Sequence, residues 1–284
     1  MNINKGIILA IIATLFFSTS PIFTRLATEL SPSQVAFARM FGGSLFIAIF
    51  LKSGTKLLIS ESFKLRYLIY GVITAFHFLF YIWSLYYTSI AHSLVIIHTA
   101  PVYVYLYEVY KGHKPTMSEA IGTILALLGL GILLGFQPYV DSTIILGNVM
   151  AFVSALCLAI YSLIGRREKN RGPLLPYTFW LYFISSLVLL PAAAADFQVA
   201  FSFKEISALI GLALFPTALG HTIYNASLRQ IRSFYPSIIA TQEVTGGILL
   251  GIVFLSEIPT IQTIIGALIS LAGIIVIVYK SQSS

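Results

Sequence analysis

The sequence predicts an all-α polytopic membrane protein whose ten transmembrane helices form two inverted five-helix repeats. Three observations support this prediction: an apolar composition, recurring stretches of membrane-spanning length, and a second half that repeats the first. Of the 284 residues, 58% are hydrophobic and 10% are charged, and the mean hydropathy is +0.91. A soluble domain carries about 25% charged residues, so this composition excludes a water-soluble protein. The Leu-, Ile- and Gly-rich runs also lack the alternation of a membrane β-barrel strand.

Ten apolar stretches approach the ~20 residues that a helix needs to cross a bilayer. Breaks such as Ser31-Pro32-Ser33 and Gly172-Pro173 separate them, as expected at helix ends. The first stretch imitates a signal peptide, but its internal copy at 147–166 indicates a retained first helix. The predicted spans, numbered 1 to 10, are 6–27, 33–51, 66–87, 92–110, 117–136, 144–165, 175–195, 205–226, 234–255 and 260–279.

The second half of the chain repeats the first at a nearly constant offset. At an offset of 144 positions, the identical pairs include His77 and His221, Ser93 and Ser237, Gly122 and Gly266, and Gly129 and Gly273. This period is too long for a solenoid and fits a duplicated domain. We therefore predict two homologous units, residues 1–140 and 141–284, each with five spans.

The positions of the basic residues predict the orientation of each span. If the N-terminus is cytoplasmic, 14 Lys and Arg residues lie in cytoplasmic loops and only Arg25 and Lys204 lie outside. This bias follows the positive-inside rule, so both termini are expected in the cytoplasm. Each basic loop in one half has a charge-poor copy in the other, which is typical of inverted repeats. Because the net charge of +7 is spread over these short loops, we do not expect a nucleic-acid partner.

Several short motifs resemble the EamA family of the drug/metabolite transporter superfamily over the whole chain. They are Phe17-Ser18-Thr19-Ser20-Pro21 in span 1, Arg39 in span 2, and Ser-Glu-Ile-Pro-Thr at 256–260 followed by Gly266 and Gly273. The resemblance implies a basket-like bundle around a central cavity, lined mainly by spans 1, 3, 4, 6, 8 and 9. It also implies a bacterial or archaeal cell-membrane protein that moves small organic solutes. The chain departs from the family at His113, which replaces an acidic residue, and at Val244, where proline is common.

Function follows from the inverted repeat and this resemblance together. We predict a secondary active transporter of small organic metabolites, chiefly amino acids or related compounds, that works by alternating access with proton coupling. The resemblance alone favours export. Multidrug, nucleobase or sugar transport is the alternative, and a membrane-embedded transferase or a channel is less favoured. The sequence contains none of the common catalytic motifs, so no enzymatic activity, cofactor or metal is expected. The expected partners are a small-molecule substrate and the lipid bilayer, and the chain is a monomer or a homodimer.

Polar residues inside a membrane are costly unless they are paired or hydrated, so they are functional candidates. Several recur at helical spacing on spans 3 and 8, and others cluster on spans 4 and 9. For each, ordinary hydrogen bonding between helices is the alternative explanation. The candidates for substrate binding or coupling are Glu243, Gln242, His98, His77, Tyr81, His221, Asn225, Tyr161, Ser20 and Pro101.

Glu243 is the strongest of these candidates. It lies about ten residues from either end of span 9, or roughly 15 Å from each interface at 1.5 Å per residue. So short a side chain cannot reach water from there. Its repeat equivalent is Thr99, next to His98, so spans 4 and 9 are expected to meet at a polar site. Glu243 could exchange a proton for substrate, bind a substrate ammonium group, or serve only in helix packing.

Three further expectations concern residues outside this set. Arg39 lies less than two turns from Ser33, so it is expected either to extend toward the interface, a behaviour common for long basic side chains, or to pair with a neighbouring residue. Glu108 is expected to pair with Lys111 at the cytoplasmic end of span 4. Two small-xxx-small pairs, Gly131/Gly135 and Gly247/Gly251, predict sites of close helix approach within the bundle, with a dimer seam as the alternative.

Overall fold

The computed structural model describes residues 4–27, 29–51, 63–88, 90–114, 116–134, 141–195, 202–255 and 260–281. The described residues form helices joined by short turns, with no strand among them. The helices are α1 (Lys5–Phe17), α2 (Ser20–Leu26), α3 (Pro32–Phe50), α4 (Arg66–Tyr87), α5 (Ile90–Ile97), α6 (Ala100–Tyr110), α7 (Met117–Leu134), α8 (Ser142–Arg167), α9 (Leu174–Ala195), α10 (Phe203–Leu212), α11 (Thr222–Leu228), α12 (Phe234–Ala240), α13 (Glu243–Leu255) and α14 (Ile261–Ser281). A π-helical segment, Ala213–His221, joins α10 to α11.

Eight helical stretches are long and apolar enough to cross a bilayer. They are Lys5–Thr24, Pro32–Phe50, Arg66–Tyr87, Ser142–Asn170, Leu174–Ala195, Phe203–Leu228, Phe234–Phe254 and Ile261–Tyr279. A shorter apolar helix, Met117–Ile132, lies at predicted span 5. Large apolar side chains such as Leu15, Phe254 and Ile261 project from the outer surface of the bundle. The chain is therefore a multi-pass α-helical membrane protein, as the sequence predicts.

Four predicted spans are interrupted rather than continuous. Turns separate α1 from α2, α5 from α6 and α12 from α13, and the π-helical segment interrupts predicted span 8. Pro21 and Pro101 follow two of the turns, and Pro216 lies in the π-helical segment. Proline removes a backbone donor and clashes with the preceding turn, so it breaks the helical ladder. The break between α12 and α13, at Thr241 and Gln242, contains no proline. There the Thr241 hydroxyl donates to the carbonyl of Ile238.

The closest helix packing joins α7 to α14. A Cβ atom added at Gly273 would lie 2.5 Å from the backbone nitrogen of Ala126, and one at Gly122 would lie 2.7 Å from the Gly273 carbonyl. Helices in lipid associate through such small residues because no hydrophobic effect drives them together. The prediction for Gly131 is wrong, since a Cβ there would meet nothing within 4 Å, and Gly135 lies outside the described residues. Gly129, two residues earlier, is the residue that faces α14.

Two ion clusters lie at the end of the bundle that the charge pattern assigns to the cytoplasm. At the first, Arg66 donates to both carboxylate oxygens of Glu168, at 2.8 and 2.9 Å. At the second, Arg232 pairs with Glu108 and with Glu119, each at 2.7 Å. The expected partner of Glu108 was Lys111, so that prediction is wrong. Each cluster joins a residue of the first half of the chain to one of the second half.

Candidate functional site

A small cavity of about 40 Å³ lies in the centre of the bundle, beside the helix breaks. It is bounded by the six spans that the family resemblance implied, together with Arg39 of predicted span 2. Its lining residues are Phe17, Arg39, His77, Phe78, Tyr81, Leu94, Ile97, His98, Ala100, Pro101, Leu158, His221, Tyr224, Ser237, Ala240 and Glu243. The lining is thus aromatic and apolar with a few ionisable groups, which is the usual composition of a ligand site.

Six of the ten candidate residues line this cavity and four do not. Asn225 and Tyr161 lie behind the wall, where the Asn225 amide donates to the Tyr161 hydroxyl. Ser20 is also buried behind it and accepts a hydrogen bond from Arg39. Gln242 points to the other side of α13, where its amide donates to Ser270 in α14. The six cavity residues are Glu243, His98, His77, Tyr81, His221 and Pro101.

Glu243 and His98 face each other across the cavity. The distance between Glu243 Oε2 and His98 Nε2 is 4.0 Å, and both residues lie at helix breaks, Glu243 at the start of α13 and His98 just after α5. This distance is too long for a direct hydrogen bond but suits a bridging water. His98 Nε2 is buried with no hydrogen-bond partner among the described residues. The two side chains therefore form a polar pair that can hold or pass a proton.

The two repeat-equivalent histidines occupy different environments in the wall. His77 Nδ1 lies 2.9 Å from the hydroxyl and 3.1 Å from the carbonyl oxygen of Ser154 in α8. These contacts hold the His77 imidazole ring through Nδ1. Its second ring nitrogen, Nε2, takes no part in them. His221 is surrounded by aromatic rings, with Phe17 at 4.5 Å and Phe78 at 5.0 Å between centroids. Its Nδ1 has no hydrogen-bond partner in the described part of the chain.

Arg39 is the functional candidate that the sequence reasoning set aside. It does not extend to the interface, because its side chain is only 2% exposed and lines the cavity. Nε donates to the Thr217 hydroxyl at 2.9 Å, and Nη1 donates to Ser20 at 3.0 Å. The guanidinium carbon also lies 4.5 Å from the centre of the Phe78 ring. Of the two expectations for Arg39, extension toward the interface is wrong, and contact with neighbouring residues is confirmed.

A glycine pair next to Arg39 explains its burial. Added Cβ atoms at Gly42 and Gly43 would lie 2.7 Å from Ala213 and Thr217, so only glycine allows α3 to approach the π-helical segment so closely. Residues three and four positions apart share a helix face, so Arg39 points the same way as this glycine pair. The Gly42-Gly43 pair is the signal in the sequence that would have placed Arg39 inside.

Comparison with known proteins agrees with this architecture. The model of the EamA-like transporter family matches residues 4–135 and 145–279. An uncharacterized transporter of Archaeoglobus fulgidus is 26% identical over 286 residues, covering 96% of this chain and 97% of its own. The uncharacterized transporter YxxF of Bacillus subtilis is 23% identical, covering 98% and 91%. A crystal structure superposes with a TM-score of 0.83 over 99% of both chains at 19% identity, which shows a shared fold.

The matched family and the names of the relatives point to a non-enzymatic transporter, and the membrane-spanning helices agree with a membrane protein. The two matched segments together cover most of the chain. The chain belongs to the EamA-like transporter family.

Proposed function

We propose that this protein is a secondary active transporter of small organic metabolites, with Glu243 as the group that couples proton movement to transport. The observation that supports this proposal is the position of Glu243: it is the one carboxylate among the described residues that line the central cavity. A charged group far from water is costly, so a carboxyl group here gains from binding either a proton or a cationic substrate group. His98 is within one water molecule of it and can share the proton.

The size of the cavity supports a mechanism of alternating access. A volume of about 40 Å³ has room for about three water molecules at roughly 10–15 Å³ each. A metabolite therefore fits only after the helices move apart. The helix breaks beside the cavity supply the points at which such movement can occur. The ion clusters hold the two halves together at one end, so opening at that end requires Arg66 and Arg232 to leave their partners.

We further propose a topology of ten spans in two inverted units, residues 1–140 and 141–284, in the cell membrane with both termini in the cytoplasm. The distribution of Lys and Arg supports this orientation, and the family resemblance supports export of amino acids or related compounds. Reporter fusions within 88–92 and 196–204 should read as external, and fusions within 111–115 and 166–171 as cytoplasmic. Reversal of either pair would contradict the inverted arrangement.

Glu243→Gln tests the coupling role. A thermal-shift screen with a metabolite library first identifies a substrate, since a specific ligand raises stability by mass action. Flux of that substrate is then measured in proteoliposomes with an imposed pH gradient. The variant should lose gradient-driven accumulation. If it accumulates substrate at the wild-type rate and with the wild-type pH dependence, Glu243 is neither the coupling group nor the ligand.

Glu205→Gln is the matched control for this experiment. Glu205 caps the start of α10 by accepting a hydrogen bond from the Ser202 backbone N–H, and it is not among the residues that line the cavity. Glutamine serves equally well at this position of a capping box. The control variant should therefore fold and transport as the wild type does, and a loss of flux shared by both variants would indicate a folding defect rather than a coupling defect.

A further inference from the structure

The cavity contains a fixed positive charge whose direct contacts are all neutral. None of the ion pairs within 4.0 Å among the described residues includes Arg39. Its contacts are two hydroxyl groups and an aromatic ring, all of them neutral. Arginine remains protonated in proteins, and an unpaired buried charge is expensive. A bound anion would compensate this charge.

The two hydroxyl contacts leave the outer edge of the guanidinium available. Of the five N–H groups of arginine, the bond to Thr217 uses the one on Nε and the bond to Ser20 uses one on Nη1. One N–H on Nη1 and both on Nη2 remain. These two nitrogens form the fork that binds a carboxylate with two parallel hydrogen bonds. The neutral contacts therefore orient Arg39 and leave its carboxylate-binding edge free.

The charge balance of the cavity favours a carboxylate over a phosphate. Arg39 and Glu243 are the one cation of fixed charge and the one carboxylate among the described residues lining it. A phosphate dianion would meet a single arginine and a repelling glutamate. A solute with one carboxylate and one amine matches both groups, the carboxylate at Arg39 and the amine at Glu243.

We propose that Arg39 is the anion-binding group of the transport site and that the transported solute carries a carboxylate, bound by the free edge of the guanidinium. This inference rests on the proposed transport function and specifies its substrate class. Thr217 is a positioning residue in this arrangement. Its hydroxyl accepts from Arg39 Nε and donates to the Leu212 carbonyl at 2.8 Å, across the five-residue spacing of the π-helical segment.

The test compares matched compounds by thermal shift on the purified full-length chain. The probes are L-leucine, L-phenylalanine, L-threonine and L-lysine, each with its carboxamide and its decarboxylated amine. For the wild type, at least one amino acid should raise the melting temperature, while its carboxamide and amine should not. Equal stabilisation by the acid and its carboxamide would overturn the inference. So would the absence of any shift with all four acids.

Three variants then assign the effect to Arg39. Arg39→Gln should abolish the preference for the acid, and Arg39→Lys, which keeps the charge but not the fork, should weaken binding at least tenfold. Thr217→Val keeps the charge of Arg39 and should also weaken binding of the acid. This variant replaces Arg39→Gln in the test if Arg39→Gln does not fold. Arg171→Gln, at an exposed arginine outside the cavity, should bind as the wild type does. A wild-type preference for the acid in Arg39→Gln, or in Thr217→Val if that variant is needed, would overturn the inference.

The outcome separates the inference from the proposed function. If the acids bind in an Arg39-dependent way but are not moved across proteoliposome membranes, the carboxylate site stands and the transport proposal fails. If Glu243-dependent flux is found only for compounds without a carboxylate, transport stands and the inference fails.

Discussion

The contact between α7 and α14 gives a prediction that two neighbouring glycines can test against each other. Gly129 faces α14, and a Cβ atom there would collide with the backbone nitrogen of Ser270 and lie 2.6 Å from its Cα. Gly131 lies two residues further along the same helix, and a Cβ atom there would meet nothing within 4 Å. Replacing each glycine by alanine therefore adds the same methyl group to one buried contact and to one open surface.

The expected difference can be estimated from these distances. The Gly129 substitution requires the backbones to separate by roughly 1.2 Å, because the added Cβ would have to clear the backbone nitrogen of Ser270 to reach ordinary van der Waals contact. Overpacking of this kind costs about 1–3 kcal/mol. Both substitutions gain about 0.8–1.0 kcal/mol of helix propensity. We expect Gly131→Ala to be neutral or slightly stabilising and Gly129→Ala to be less stable than it by about 2 kcal/mol. At about 2 °C per kcal/mol for a chain of this size, the two melting temperatures should differ by about 4 °C.

The single cysteine, Cys157, provides the readout. It lies partly buried on α8 and becomes accessible to a fluorogenic maleimide when the protein unfolds. The purified variants and the wild type are heated in the same detergent with the dye present. If Gly129→Ala melts at or above the temperature of Gly131→Ala, then α7 and α14 do not pack backbone to backbone, and the assignment of Gly129 to that contact is wrong.

Two further predictions concern stability and use the same assay. Arg232→Gln should lower the melting temperature more than Arg171→Gln, because it leaves Glu119, which is 3% exposed, without its arginine. The free energy of unfolding should fall by about 1–3 kcal/mol, less than for a fully buried ion pair. Equal melting temperatures of the Arg232→Gln and Arg171→Gln variants would mean that the Arg232 cluster adds nothing to stability. Tyr224→Phe should lower the free energy of unfolding by about 1–2 kcal/mol, since the Tyr224 hydroxyl contacts Ser162 at 2.8 Å and Ser237 at 3.0 Å. Tyr110→Phe, at the exposed end of α6, should change it little. A Tyr224→Phe variant as stable as the wild type would show that these hydrogen bonds are replaceable.

The sequence predicts the helices well because membrane-spanning length and hydropathy are properties of short continuous stretches. It does not predict the break between α12 and α13, since Thr241 and Gln242 are not strong helix breakers and no proline is present. It also predicts the wrong surroundings for the Arg39 side chain. Position along a span indicates how far a residue is from the interface, but not whether its side chain faces lipid or the interior, and that depends on the neighbouring helix.

The same limitation explains the glycine and glutamate predictions. Gly131 and Gly129 both belong to a small-residue pattern, but residues two positions apart point in nearly opposite directions on a helix. Only the position of α14 shows which of them is buried. Glu108 has Lys111 three residues away, a favourable spacing within one helix, yet it pairs with Arg232, which is distant in the sequence. Local spacing identifies possible partners, and the tertiary packing selects among them.

The internal repeat does not extend to the charged groups of the cavity, and this asymmetry bears on how the site works. His77 and His221 are equivalent and both line the cavity. Glu243 has the neutral Thr99 as its equivalent, and the region equivalent to Arg39, residues 180–183, contains no charged residue. Exact duplication would place two arginines and two glutamates around one small cavity, and like charges at that distance would oppose its closure. One cation and one carboxylate attract each other when the cavity is empty and are both satisfied by a solute that carries both charges. In the proposed mechanism, a solute that carries both charges satisfies both groups when the site closes, whereas a site occupied by an anion alone would leave Glu243 facing a like charge.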